Sequence, residues 1–292
     1  MVIGQAVVDG ILAGGVYALM AAGLTLTFGV MQVINVAQGV LVVLGAYLSY
    51  ELAQRAQIDP FVGLFVTVPA LFVLGVVIEM VLIRKLRQLS IFNFVVMAIL
   101  ATYAVSVITE GALDMAFGSG LVQVQASYAS HSFVWFGMHL PEIYVYGFLL
   151  AAGLLGALSL LLYRTRFGRS VRATEQNRTS AMLVGIPVHR VSTIVFGIGV
   201  AVTAAGGMVF GATNAFNGGS GADLISRLLT IVILGGLGSM GGALVGAIVL
   251  LVVENLVAVI WSPDWAPLVF SVVLVAVLLI RPNGLLGRAV AT

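Results

Sequence analysis

The sequence predicts an all-α fold, a polytopic membrane bundle of about eight to nine spans, and three observations predict it. Hydrophobic residues make up 61% of the 292 and charged residues 8%, where a soluble domain carries roughly one-quarter charge. Several apolar runs reach the ~20 residues that a helix needs to cross a bilayer. Within those runs the apolar residues are continuous, which excludes the two-residue alternation of an outer-membrane barrel. Hydrocarbon then favours helices, because a helix pairs its backbone polar groups internally.

The apolar segments, in order, are 7–29, 37–53, 61–83, 91–115, 143–163, 191–213, 225–239, 243–261 and 265–281. Basic residues give their direction. Arg84, Lys85 and Arg87 form one cluster, Arg164, Arg166, Arg169, Arg172, Arg178 and Arg190 a second, and Arg281 and Arg288 a third; together they hold 11 of the 13 Lys and Arg. Such clusters mark cytoplasmic loops, so an even number of crossings separates any two of them. Segments 91–115 and 143–163 supply the two between the first pair. Four are needed between Arg190 and Arg281, which makes 225–261 two short spans split near Gly238-Ser239-Met240-Gly241-Gly242. Asp59, Glu142, Asp223 and Asp264 suit the outer side. Parity leaves the N-terminus outside if 7–29 and 37–53 cross separately, and inside if they form one broken crossing. The first residues lack the basic n-region and cleavage site of a secretory signal, so the first helix is expected to be retained. Residues 1–292 read as one transmembrane domain, with 164–190 its sizeable cytoplasmic piece. The stretch 118–141, with His131, Trp135 and His139, reads as an outer cap.

Two interrupted helices stand out. In the first break, Gln32, Asn35, Gln38 and Gly39 lie between two apolar runs. The spacing of Asn35 and Gln38 puts both amides on one helical face, and Gly39 admits a close backbone. A loop at the membrane surface, amides that tie helices together and a broken helix lining a polar route all fit this spacing. In the second break, Gly235, Gly236, Gly238, Gly241, Gly242 and Gly246 surround Ser239. Gly238, Gly241, Gly242 and Gly246 read as packing residues, while the break is a gate candidate because Ser239 and the unwound backbone need partners. The plan of helix, break, helix recurs in 7–53 and 225–261 as a weak internal repeat, and paired interruptions of this kind point to a transporter's substrate route. The route candidates are Asn35, Gln38, Gly39, Gly235, Gly236 and Ser239.

Glu79 and Asp114 lie near predicted helix ends, where snorkelling to water is expected. Glu254 is interior, and an intramembrane acid is a functional-site hypothesis by default. In 164–190, Ser170 is expected to cap a short helix that Gly185 ends and Pro187 keeps from resuming. Arginines alone suit a basic loop on anionic lipid, but Glu175-Gln176-Asn177 followed by Ala181 and Gly185 reads as a protein-docking helix. No Gly-x-x-x-x-Gly-Lys-Ser/Thr run is present to cradle ATP. The three histidines lack metal-ligand spacing, no Ser-His-acid set converges, there is no cysteine, and no basic domain could carry nucleic acid. Neither catalysis nor a cofactor or metal in this chain is expected.

A resemblance runs over nearly the whole chain. Gly15-Val16-Tyr17-Ala18-Leu19, Gly23 to Gly29, Asn35-Val36-Ala37-Gln38-Gly39, Phe167-Gly168, Arg172-Ala173, Gln176-Asn177, Ala181, Gly185-Ile186, Leu234 to Ser239 and Arg281-Pro282-Asn283-Gly284-Leu285-Leu286-Gly287 together resemble one family. It is the LivH-type membrane permease of ATP-driven importers for branched-chain amino acids, whose relatives import urea or short amides. Gln38 stands where that family commonly has histidine, so it keeps polarity without a titratable group; Pro187 replaces the usual asparagine. The resemblance implies a multi-pass subunit of the bacterial cytoplasmic (inner) membrane. That subunit pairs with a second homologous permease, docks two ATPase subunits that carry ATP and magnesium, and accepts solute from an external periplasmic binding protein. The coupling residues it places are Gly168, Arg172, Ala173, Gln176, Asn177, Ala181 and Gly185, to which the docking-helix reading adds Glu175. Branched-chain amino acids are the expected solute, with urea or short amides as the alternative; a secondary carrier would need more intramembrane acids than the chain has.

Overall fold

The computed structural model describes residues 2–126, 132–135, 138–281 and 284–286. Its helices are α1 (Val2–Met31), α2 (Gln38–Arg55), α3 (Pro60–Ile78), α4 (Arg84–Leu86), α5 (Ile91–Phe117), α6 (Glu142–Arg164), α7 (Arg166–Gln176), α8 (Arg178–Leu183), α9 (Val188–Thr213), α10 (Ser220–Gly235), α11 (Met240–Ile260) and α12 (Ala266–Ile280). A π turn over Glu79–Ile83 joins α3 to α4. Six stretches are long and apolar enough to cross a membrane: α1, Pro60–Leu86, Phe92–Phe117, α6, α9 and α11. The shorter α2, α10 and α12 complete the bundle, in agreement with an all-α polytopic fold. Outside, strands β1 (Ser132–Trp135) and β2 (Met138–Pro141) pair antiparallel with Ser132 opposite Pro141, and Val122 bridges to Phe216. His131 of the expected outer cap lies outside the described residues.

α1 and α9 form the centre. In their most apolar stretches 72% and 83% of residues are buried, against 11% in α5, which therefore faces lipid or a partner. Small residues let the central helices approach closely. A Cβ on Gly23 would sit 2.4 Å from the Gly199 carbonyl oxygen, and one on Gly207 2.2 Å from that of Val42.

Residue pairings along the contacts settle the chain direction. Gly10 lies on Val252 and Gly14 on Ile248, so α1 and α11 are antiparallel; Gly207 lies on Val42 and Gly211 on Ala46, so α2 and α9 run parallel. α1 ends beside α7 of the basic segment, and α2 returns beside α9. Segments 7–29 and 37–53 are thus separate legs, and the positive-inside argument puts Val2 outside.

Glu79 does not snorkel. It is fully buried, 3.1 Å from the Arg87 guanidinium, and accepts a hydrogen bond from the Thr193 hydroxyl on α9. The π turn beginning at Glu79 packs against α9, so its carboxylate meets protein and not the membrane surface. Burial, and then the Arg178 guanidinium, lower Arg87 to about 10.

Candidate functional site

At the first break Gln32, in the left-handed region at φ 55°, donates its backbone N–H to the Phe28 carbonyl at 2.7 Å and ends α1. The chain then runs back without helix to start α2 beside Gly23, eight residues before Met31. Both amides of this break are buried, Asn35 at 2% and Gln38 at 0% exposure. Asn35 Nδ2 donates to Gln38 Oε1 at 2.8 Å. Gln38 Nε2 donates to the Thr203 hydroxyl and, at 3.4 Å, to the Gly199 carbonyl, both on α9. Gly39 is pressed against α10, where an added Cβ would lie 2.1 Å from the Gly221 carbonyl oxygen. Three of the six route candidates therefore fasten α2 to α9 and α10.

The other three form a tight corner. Gly236, at φ 101°, closes α10 by donating to the carbonyls of Val232 and Ile233. Ser239 caps α11, its hydroxyl accepting from the Gly242 N–H at 3.1 Å. Gly235 and Gly242 face each other so closely that a Cβ on Gly242 would stand 2.0 Å from the Gly235 carbonyl oxygen. The last turn of a helix leaves carbonyls unpaired, and here the C-terminal segment supplies donors: Leu285 N–H to Leu234 at 2.7 Å and Leu286 N–H to Gly235 at 3.1 Å. Of the packing glycines, Gly246 lies against the α10 backbone, whereas Gly241 faces open space.

The segment 164–190 holds two helices where the sequence suggests one. Thr165, not Ser170, caps α7 by accepting from the Gly168 N–H at 3.0 Å; the Ser170 hydroxyl turns back to the Arg166 carbonyl. Asn177 is extended, at φ −157°, and its side chain accepts from the Ser180 N–H at 2.9 Å, so it breaks the helix and caps α8. Gly185, at φ 82°, ends α8 as expected. Gly168 and Arg172 lock the α6–α7 corner: a Cβ on Gly168 would lie 2.1 Å from the Leu162 carbonyl oxygen, Arg172 donates to that same carbonyl, and its guanidinium lies 5.2 Å from the centre of the Tyr163 ring. Ala181 is buried and Ala173 half-buried, while Gln176, Asn177 and Gly185 are exposed beside Met182, Leu183 and Val184. Leu183 at 83% and Val184 at 76% exposure make an apolar knob.

These pieces meet in a cavity of about 400 Å³ at the inner end of the bundle, lined among others by Gly29, Tyr163, Arg172, Glu175, Gly238 and Ser239. Glu175 is the hub. A Cβ on Gly29 would be 3.2 Å from its carboxylate and one on Gly238 3.3 Å, so α7 touches both the end of α1 and the α10–α11 corner.

Sequence reasoning missed Arg227. It donates to Asp223 and to Glu254, each at 2.8 Å, and its guanidinium sits 4.6 Å from the centre of the Phe270 ring. The signal was present: Asp223 and Arg227 have the i, i+4 spacing of a helical ion pair, which places both on α10 and not in an outer loop. No group of three or more metal-ligating side chains occurs among the described residues.

Residues 6–278 match the family described as branched-chain amino acid transport system, permease component. The high-affinity branched-chain amino acid transport system permease LivH of Salmonella typhimurium LT2 is 28% identical over 307 aligned residues, covering 97% of this chain and 95% of that protein. The corresponding permease BraD of Pseudomonas aeruginosa is 28% identical over 300, with the same coverage. A probable branched-chain amino acid permease LivH of Methanocaldococcus jannaschii is 28% identical over 291, covering 95% of this chain and 90% of that protein.

Proposed function

The chain belongs to the permease family of branched-chain amino acid transport systems, and from that premise we propose that it is a membrane subunit of an ATP-driven importer for branched-chain amino acids. It works in the bacterial cytoplasmic membrane beside a second, homologous permease, with two cytoplasmic ATPases and an external binding protein. ATP and magnesium belong to the ATPases; this chain carries no catalysis.

One observation carries the reading: Glu175 on the cytoplasmic α7 lies against both Gly29 of α1 and Gly238 of the α10–α11 corner. An ATPase seated on the knob Met182 to Gly185 and on Gln176 and Asn177 pushes α7–α8 as a lever. The α6–α7 corner, locked by Gly168 and Arg172, passes that movement to α6, and Glu175 passes it to the inner corner. A partner shifts the balance between two states only if it contacts them differently, so α8 seats differently on the ATPase before and after ATP closure. The polar inner cavity is then the inward gate, and the Asn35–Gln38 anchor keeps α2 on α9 while the gate moves.

Reconstitution of this chain with a second permease, two ATPases and a binding protein tests the proposal. ATP-dependent uptake of leucine, with urea and acetamide excluded, is the expected result. Uptake driven by an ion gradient without ATP would make the chain a secondary carrier, and uptake of urea or acetamide in place of leucine would move it to the amide permeases.

A further inference from the structure

A second cavity of about 400 Å³ lies between α1, α6, α9, α10 and α11, on the side away from the basic segment. That volume falls in the range of about 300–1,000 Å³ usual for small-molecule pockets. Val16, Phe210 and Leu251 give it an apolar wall; Asp9, Arg227 and Glu254 line its polar side.

Its charge is unbalanced. Arg227 engages Asp223 and Glu254, and Asp9 stands apart, accepting from the Gln5 amide at 2.9 Å. Among the charged residues that line the cavity, Asp9 and Glu254 against Arg227 leave a formal −1. Glu254 is 9% exposed, and its Oε2, unlike Oε1, has no hydrogen-bond partner among the described residues. Buried acceptors in native proteins are nearly always paired; this oxygen is closed to solvent, so a donor reaches it when the Glu254 side chain turns into the cavity that the residue lines. An acid at this depth of a membrane protein is costly and is kept for function.

We propose that this cavity binds the α-ammonium group of the amino acid on its way through, with Glu254 and Asp9 accepting from the ammonium and the aliphatic side chain resting on Val16, Phe210 and Leu251. The proposal rests on the importer reading above and deepens it: the permease itself recognises a primary ammonium joined to a branched aliphatic chain. Arg227 acts as a positioning residue that holds Glu254 against the cavity. An inorganic cation shares the chemistry of the ammonium, and the test separates the two.

The assembled transporter without its binding protein, in nanodiscs of neutral lipid, is titrated with labelled leucine against three competitors at constant ionic strength. Isoamylamine keeps the ammonium and loses the carboxylate; isocaproate does the reverse; sodium is a bare cation. Leucine and isoamylamine are expected to compete, isocaproate and sodium not. Asp9→Asn, which leaves the Arg227–Glu254 pair intact, is expected to weaken leucine binding about tenfold, equivalent to roughly 1.4 kcal/mol, and Glu254→Gln to abolish amine competition. Equal competition by isocaproate, displacement by sodium, or unchanged binding in Asp9→Asn would each overturn the proposal, whether or not Glu254→Gln folds. ATP-driven leucine uptake is followed in parallel. Uptake that continues with leucine binding unaltered in both variants overturns this site and keeps the importer. Isoamylamine binding that Asp9→Asn weakens, without any uptake, supports the site and removes the importer.

Discussion

At residues 32–37 the chain leaves α1, reverses and starts α2 deep beside Gly23; at 236–239 it turns one tight corner and starts α11 at the inner surface. Each junction joins two apolar helices through glycine and hydrogen-bonding side chains, and the sequence pattern makes them look like repeats. Their surroundings differ. Gln38 and the Asn35 amide nitrogen hydrogen-bond within the protein, whereas Gly238 and Ser239 border a cavity shared with Arg172 and Glu175. A polar residue in a membrane break therefore says little by itself. What decides its role is whether nearby helices fill its hydrogen bonds or a cavity leaves it open to something that moves.

Four substitutions sharpen this contrast, from the largest effect to the smallest. Gly242→Val drives a branched side chain into the Gly235 carbonyl, 2.0 Å from its Cβ. Backbone cannot yield as a flexible side chain does, so the cost lies at or above the top of the ~1–3 kcal/mol range for overpacking, and monodisperse protein in detergent should be largely lost. Gln38→Leu strands the Asn35 amide nitrogen, while the Thr203 hydroxyl keeps its bond to the Gly199 carbonyl. It should cost roughly 1–3 kcal/mol, seen as a lower unfolding temperature with uptake per folded molecule retained; full stability with lost uptake would turn the first break from an anchor into part of the route. Ser239→Ala removes the α11 cap at about 1 kcal/mol by the same thermal assay. Gly241→Ala, with no atom near its added Cβ, should stay within ~0.5 kcal/mol of the parent, and a large loss there would mean that the inner corner is packed more like the first break.

The spans were legible because long apolar runs and basic clusters constrain length and direction together. Residues 37–53 became α2 almost unchanged. α10 begins five residues before the apolar run predicts, because charge alone assigns Asp223 to an outer loop; in the folded helix it has Arg227 one turn away. Within 164–190 a helix is legible in the sequence but its division is not, since Asn177 both ends one helix and caps the next. The burial of Glu79 is not legible because it depends on a π turn and on Thr193, 114 residues away, and local pattern encodes neither. Likewise the amide spacing of Asn35 and Gln38 was visible, but Thr203, 165 residues from Gln38, decides what those amides touch.

The contrast between the two breaks is most directly measured by thiol accessibility, since the chain has no cysteine of its own. Gly241→Cys and Gln38→Cys are placed separately in the complete complex with its other subunits cysteine-free, and reaction with a membrane-impermeant reagent from the cytoplasmic side is timed with and without ATP and vanadate. The Gly241→Cys thiol is expected to react, and trapping of the ATP-closed state to change its rate severalfold, while the Gln38→Cys thiol is expected to stay unreactive in both states. State-dependent labelling of Gln38→Cys, with Gly241→Cys unchanged, would contradict this contrast.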